Sequence, residues 1–373
     1  MRPICCYLLL SLLIVAACTD PTSDVGLDLL GESTNPRTKT ALSKSFSSSS
    51  LVDITGAAPR VLVGAADDPL TGQVEASGFL DFAGQFSGAS SDAISEVQLR
   101  LARNYDFGDT TGVLQFSLHQ VLTEWDQSGL KADTVLTIGP EIINVNVTTR
   151  DTLITIDLPT AWIDANEDVL RSDNFGSEFY GFALVDNDSE QVAGFNSVST
   201  TLVVTSTAGP TTFIVSSTYT KIERKTEPDP PNDLVLFQDG AGPAIALDFD
   251  LEDFSNLPIN GAVLTFSANT VASQNAPPNF VRPLSRRLQL VAVASDEEAP
   301  AILVGEADLN EDGKYRFSGQ DLSIFFQSVF FGSLEYEYLE LRAPVINNAL
   351  NTVLLYGTNT GDMSPRATII ASP

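Results

Sequence analysis

The sequence predicts an all-β protein made of two tandem antiparallel β-sandwich units of jelly-roll type, with short helical insertions. Three observations carry this. Val, Ile, Thr, Phe and Ser are abundant, while 25 Gly and 20 Pro fall between apolar runs as punctuation. The runs alternate apolar and polar side chains with a period of two, and long stretches of helical period are scarce. The order of runs in the first half returns in the second.

The chain starts with a short positive segment at Arg2, followed by an apolar stretch, Tyr7 to Ala17, broken only by Ser11. A bilayer core needs about 20 apolar residues, so this stretch is too short to span one and has the length of a signal-peptide core. It ends Val15-Ala16-Ala17-Cys18. That ending resembles a bacterial lipobox, which implies cleavage before Cys18, a diacylglyceryl thioether on its sulfur and an acylated amine. Residues 1–17 are then a signal peptide, and the membrane is reached through lipidated Cys18. At about 0.8 kcal/mol per buried CH₂, several acyl chains hold a domain on a bilayer essentially permanently. The expected location is the cell envelope, as an outer-membrane lipoprotein facing the periplasm or the outside. Cys5 and Cys6 lie inside the signal, so disulfides, thiol catalysis and Cys-metal sites are excluded from the mature chain.

Acids outnumber bases 48 to 20, with only six Lys, for a net charge of −28. Nucleic acid is excluded as a partner, because its binding rests on Lys and Arg neutralising phosphates. The same balance fits a chain that stays hydrated at high ionic strength.

Residues 18–50 are polar; "STNPRTKTALSKSFSSSS" has little apolar surface to repay ordering, so the segment reads as a lipidated flexible tether. Before that stretch, "SDVGLDLLGES" resembles the start of surface lipoproteins that carry domains of unknown function. The first unit is expected over 51–224. "RVLVGA" and "VEASGFLDFAGQF" flank a turn cluster, "ADDPLTG". "ISEVQLRLARN" sets Val97, Leu99 and Leu101 on one face and Glu96, Gln98 and Arg100 on the other. "VLQFSLHQV" continues the pattern, and "IINVNVTTRDTLITIDL" reads as a hairpin. "PTAWIDANEDVLRS" is the clearest helix, with Pro159 suited to its first turn. "FYGFALVDND", "VAGFNS" and "TTFIVSS" close the unit. The Pro-rich, acidic stretch 225–233, "KTEPDPPND", reads as a stiff linker, and 234–373 as the second unit. There "DLVLFQDGAGPAIALDFDLEDF", "LPINGAVLTFSAN", "RLQLVAVAS", "ILVGEADLNEDGKYRFSG", "QDLSIFFQSVFFGSLEYEYLELRAP" and "NTVLLYGTNTGDMSPRATIIASP" follow the order of the first unit's runs.

Within the first unit, Glu124-Trp125, Trp162, Gly181-Phe182-Ala183-Leu184 and Asn196-Ser197 follow one another as in a known module. Over about 60–220 the chain resembles the DNRLRE-type β-sandwich of bacterial surface proteins, a jelly roll related to a class of carbohydrate-binding modules. The second unit fits only through the first and has no Trp. The resemblance implies an extracellular, non-catalytic role and transfers no catalytic residue.

His119 is the only His, which leaves Ser-His-Asp and Cys-His chemistry with one base, on a strand where a residue of a sheet face is the ordinary reading. His- and Cys-based zinc sites go with it. No phosphate-binding loop is present, and none of the carboxylates stands out as a glycosidase pair. The chain is read as no enzyme. In "DLNEDGKYRFSG", Asp308, Asn310, Asp312 and Gly313 copy the first positions of a calcium loop, but Gly319 stands where the bidentate Glu belongs. A calcium site and an Asp-Gly hairpin turn both fit that stretch. Sugars stack on aromatic rings, which makes Trp125, Trp162 and Tyr180 candidates, with core packing the competing role for the two Trp. In the second unit Phe325, Phe326, Phe330 and Phe331 read as core from a helix, and Tyr336 and Tyr338 as one strand face reaching solvent. The functional expectation is non-catalytic binding, of polysaccharide or another extracellular partner; the alternative is a structural or assembly component that binds protein rather than glycan.

Overall fold

The computed structural model describes residues 37–48, 53–54, 58–126, 128, 130–131, 134–147, 151–240, 245–249, 257–294, 301–345 and 348–372. Cys18, the signal peptide and the first part of the expected tether lie outside the described residues. The fold is all-β and sandwich-like, as the alternating runs require.

In chain order the strands of the first half are β1 (Arg37–Ser48), β2 (Asp53–Ile54), β3 (Arg60–Asp68), β4 (Gly72–Ala83), β5 (Ile94–Asp109), β6 (Leu114–Val121), β7 (Leu130–Lys131), β8 (Ile138–Val147), β9 (Leu153–Asp157), β10 (Phe182–Asp186), β11 (Gln191–Asn196), β12 (Thr201–Ser206) and β13 (Gly209–Arg224). The second half adds β14 (Leu234–Gln238), β15 (Ile245–Phe249), β16 (Ile259–Ser267), β17 (Phe280–Val281), β18 (Arg287–Val293), β19 (Ile302–Asp308), β20 (Lys314–Ser318), β21 (Tyr338–Arg342), β22 (Thr352–Tyr356) and β23 (Arg366–Ala371). Helices are short: α1 (Thr160–Arg171), α2 (Phe175–Glu178), α3 (Thr270–Gln274) and α4 (Gln320–Phe330).

Pro159 is the N-cap of α1, where its missing N–H is no loss. Trp162, Ile163 and Leu170 bury one face of that helix, and Leu322, Phe325, Phe326 and Phe330 do the same for α4. Phe331, expected in the same core, is 55% exposed because the helix has already ended at Phe330.

Each half has its own core. Val97, Leu99 and Leu101 of β5 meet Phe82, Phe116, Phe182, Phe195 and Phe213 in the first. Leu247, Leu264, Phe266, Leu290, Phe317, Leu341 and Ile369 build the second. In the first half β13, β12, β5, β11, β3 and β4 form a closed hydrogen-bonded circuit, with β10, β6 and β8 continuing from β4. Long strands make the corners: β13 pairs β12 through Ile214 and then β4 from Ile214 to Arg224, with a bulge between Val215 and Ser217.

The second half repeats these partnerships. β4–β10, β10–β6 and β6–β8 recur as β15–β21, β21–β18 and β18–β19. β5–β9, β5–β12 and β3–β11 recur as β16–β20, β16–β23 and β14–β22. The strand in the place of β13 is β1. Arg37–Leu42 pair with β23, and Ser43–Ser48 pair with β15 across a bulge between Ser43 and Ser45. The bulges coincide: Val215 and Ser217 face Phe82 and Asp81, and Ser43 and Ser45 face Phe249 and Asp248, within the identical tripeptides Leu80-Asp81-Phe82 and Leu247-Asp248-Phe249.

This overturns part of the expected tether. Residues 37–48 are a twelve-residue strand in the middle of an eight-stranded sheet. Their own apolar content is small, but two sheet edges hold their backbone. The stretch 225–233 carries no regular element, in keeping with a connection, although its start is pinned to β4: Lys225 N–H donates to Gln73 O at 2.8 Å, and Gln73 N–H to Thr226 Oγ1 at 2.7 Å.

Candidate functional site

None of the five aromatic candidates is exposed. Trp162 packs between Phe179 and Phe182, with ring centroids 6.2 and 5.5 Å away, and its Nε1–H donates to Gln120 Oε1 at 3.2 Å. It belongs to the first core. Trp125 and Tyr180 do come together: Trp125 Nε1–H donates to the Tyr180 carbonyl at 2.9 Å, and both lie half-buried over Phe79, Val121 and Tyr219 on another face of the sheet. Tyr336, expected on a solvent-facing strand face, is half-buried. It precedes β21 and rests on Phe325 at 5.1 Å, and burial, with the nearby charge of Asp248, pushes its hydroxyl up to about 12. Tyr338 is half-buried at the start of β21.

The stretch from Asp308 to Gly313 folds as a tight turn joining β19 to β20, closed by a bridge between Leu309 and Tyr315. Arg287 Nε and Nη2 donate to the two carboxylate oxygens of Asp308 at 2.7 and 2.9 Å, and that pairing holds the carboxyl below its ordinary range. Asn310 Oδ1 accepts from Lys314 N–H at 2.9 Å, and Gly313 takes φ +69°, the left-handed turn conformation that Gly adopts without strain. Asp312 lies exposed in the turn. Calcium would have to displace Arg287 from Asp308, and no group of three or more His, Cys, Asp or Glu able to hold a metal occurs among the described residues. The calcium reading gives way to the turn.

His119 lies on β6 with Nδ1 2.9 Å from the Gly139 carbonyl and Nε2 2.8 Å from Ser117 Oγ. A carbonyl can only accept, so Nδ1 carries the proton and Nε2 accepts from the Ser117 hydroxyl. In a catalytic triad a carboxylate sits at Nδ1; here it is a neutral backbone oxygen, and Ser117 is itself buried.

The most elaborate polar construction joins the two halves. Arg282 Nε donates to Asp68 Oδ2 at 2.7 Å, Arg282 Nη2 donates to Asp68 Oδ1, and the two side chains are 2% and 0% exposed. The remaining capacity is used: Arg282 Nη1 donates to the Ser273 and Asn275 carbonyls at 3.0 Å each, and Asp68 accepts from Thr71 Oγ1 at 3.0 Å and Leu70 N–H at 3.1 Å. A buried pair satisfied in this way holds only while both partners are present. Beside it β17 adds to the end of β5, with Phe280 opposite Asp109, and the Phe280 ring meets Phe107 edge-on at 5.5 Å. Leu350 enters an apolar patch of Leu62, Ala66, Val74, Ala76 and Val192, and its N–H donates to Tyr105 Oη at 2.8 Å. Burial pushes that phenol up and the neighbouring Arg60 down. Arg60 reaches Asn348 O at 3.0 Å, and Arg224 reaches Gln238 Oε1 at 2.9 Å. The sequence reading set Asp68 in a turn cluster and did not single out Arg282; neither has a local pattern that points to the other.

Two open grooves flank this junction. The larger, about 440 Å³, borders Pro69, Asp229 and Arg282; the other, about 370 Å³, borders Gln73, Asp109, Glu190 and Phe280. Asp109, Asp229 and Glu190 give these grooves carboxylate acceptors. No family model, no curated protein and no solved structure matches the chain.

Proposed function

We propose that the chain is a lipid-anchored envelope protein, attached through Cys18, whose two tandem β-sandwich units act as a non-catalytic scaffold that binds protein rather than glycan. The observation that carries this reading is the contrast between closed aromatics and open edges. A sugar platform needs exposed rings, and all five candidate rings are half-buried or buried. Strands that can take on another strand are present instead. Among the described residues β8 pairs only β6, and β19, its counterpart, ends the eight-stranded sheet and exposes Ile302 and Leu303. The welded junction supports the same role, because it holds the two edges in one body.

Polysaccharide attachment is a second reading, favoured by Trp125 and Tyr180 lying together on one face. The test compares the full chain with Cys18→Ala for incorporation of labelled fatty acid and for membrane fractionation, then runs soluble 19–373 over a panel of glycans. The scaffold reading expects label and membrane association to vanish with Cys18→Ala, and no glycan to retain the protein. Saturable retention lost in Trp125→Ala, with the fold intact, would replace it by the glycan reading.

A further inference from the structure

The place that β13 takes in the first half, between β4 and β12, corresponds in the second half to the place between β15 and β23, and residues 37–48 fill it. Arg37 lies opposite Ala371, so β1 begins where β23 ends, as β13 follows β12 through a turn. Among the described residues the slot's contents are backbone pairings on two edges, a bulge and the facing Thr40 and Thr368, and the same strand from a second copy offers them in that register.

We propose that the slot between β15 and β23 is a strand-binding site that takes residues 37–48 from a second copy of this chain as well as from its own, so that copies assemble by strand exchange. Each chain carries one donor and one acceptor. A vacated slot exposes two facing strand edges, each still held on its other side, β15 by β21 and β23 by β16. Open edges of this kind are templates for an incoming strand. β1 contains no Pro, which would cost a ladder hydrogen bond between two partners; Pro36 stands just outside it. Exchange makes in one copy the contacts it breaks in the other, so its balance is set by the concentration of neighbours, the condition under which swapping of identical elements is a low-cost route to assembly.

The register supplies the experiment. Thr40 and Thr368 face each other across β1 and β23, with Oγ1 atoms 3.4 Å apart; Thr40 is exposed and Thr368 half-buried. Two soluble full-length mature chains are made, one carrying Thr40→Cys and a mass tag, the other Thr368→Cys, both with Cys18→Ser. They are mixed at high concentration, oxidised and digested. The double variant T40C/T368C in one chain controls for register and folding by forming its internal disulfide. The proposal expects a mixed disulfide joining position 40 of one chain to position 368 of the other, at a yield rising with protein concentration. Single variants that stay unlinked at every concentration, while the double variant closes internally, would overturn it.

Discussion

In the first half the strand that closes the sheet follows its neighbour by a two-residue turn: β12 ends at Ser206 and β13 begins at Gly209. In the second half the strand in the same place comes from the other end of the chain, with Thr40 and Thr368 in contact across 328 positions of sequence. The partners, the bulge and the facing Leu-Asp-Phe are shared; only the route of the chain differs. A strand at a given place in a sheet is thus specified by the two edges it satisfies and not by its neighbours in sequence. A strand delivered from afar costs more loop-closure entropy, and that cost makes the second half the more easily opened of the two.

The largest effect follows from removing the borrowed strand. A chain beginning at residue 51, a natural choice if 18–50 were only a tether, loses β1 and should melt in two steps. The second half should unfold about 10 °C or more below the intact protein, which calorimetry would resolve; an unchanged single transition would break the comparison. Such a shift corresponds to about 3–5 kcal/mol for a protein of this size.

Next is the junction. Asp68→Ala leaves the Arg282 guanidinium buried without its anion and should cost about 3–5 kcal/mol in denaturant unfolding. Asp68→Leu combined with Arg282→Met should recover most of that loss. Equal losses in the single and double variants would mean that the pair contributes more than its mutual neutralisation. The two Trp separate in the same way. Trp162→Ala opens the first core and should cost about 3–5 kcal/mol, while Trp125→Ala, at a half-buried position, should cost less than half as much.

A smaller effect sits opposite the β13 bulge. Burial raises the Asp81 carboxyl to about 6, against the lowering influence of the Phe82 N–H and the Ser216 hydroxyl. A carboxyl whose folded value lies above its unfolded one binds more protons when folded. Its stabilising contribution is therefore present in acid and is lost as pH rises from about 4 through 6. Asp81→Asn should flatten the stability profile across that window and stabilise the protein at pH 7 by about 1 kcal/mol, after discounting for the solvent that still reaches the group. The smallest effect concerns calcium: millimolar calcium or a chelator should leave the melting temperature of the second half unchanged, since Arg287 already occupies Asp308.

Much of the fold was legible because it is local. The alternation around Val97, Leu99 and Leu101, the helix opened by Pro159 and the Asp-Gly turn each need only about a dozen residues to be read, and the repeat needs only the order of such runs. What escaped is long-range. "RTKTALSKSFSS" is polar because its backbone, held on both sides, carries the pairing, so composition gave no hint of a strand. Asp68, at the end of β3, and Arg282, just after β17, stand 214 positions apart, and a buried ion pair leaves no periodic trace. Of the aromatic candidates, Trp162 takes the core role weighed for it, and Tyr336 is half-buried because α4 places Phe325 against it.

Amide hydrogen exchange across residues 37–48 of the soluble mature chain tests the borrowed strand most directly. If β1 completes the second half, its amides should be protected to the level of β15 and β23, below that of β12 and β13, and all three strands should open together. Rapid exchange of residues 37–48 beside well-protected β15 and β23 would show that the second half closes without them, and would contradict the account.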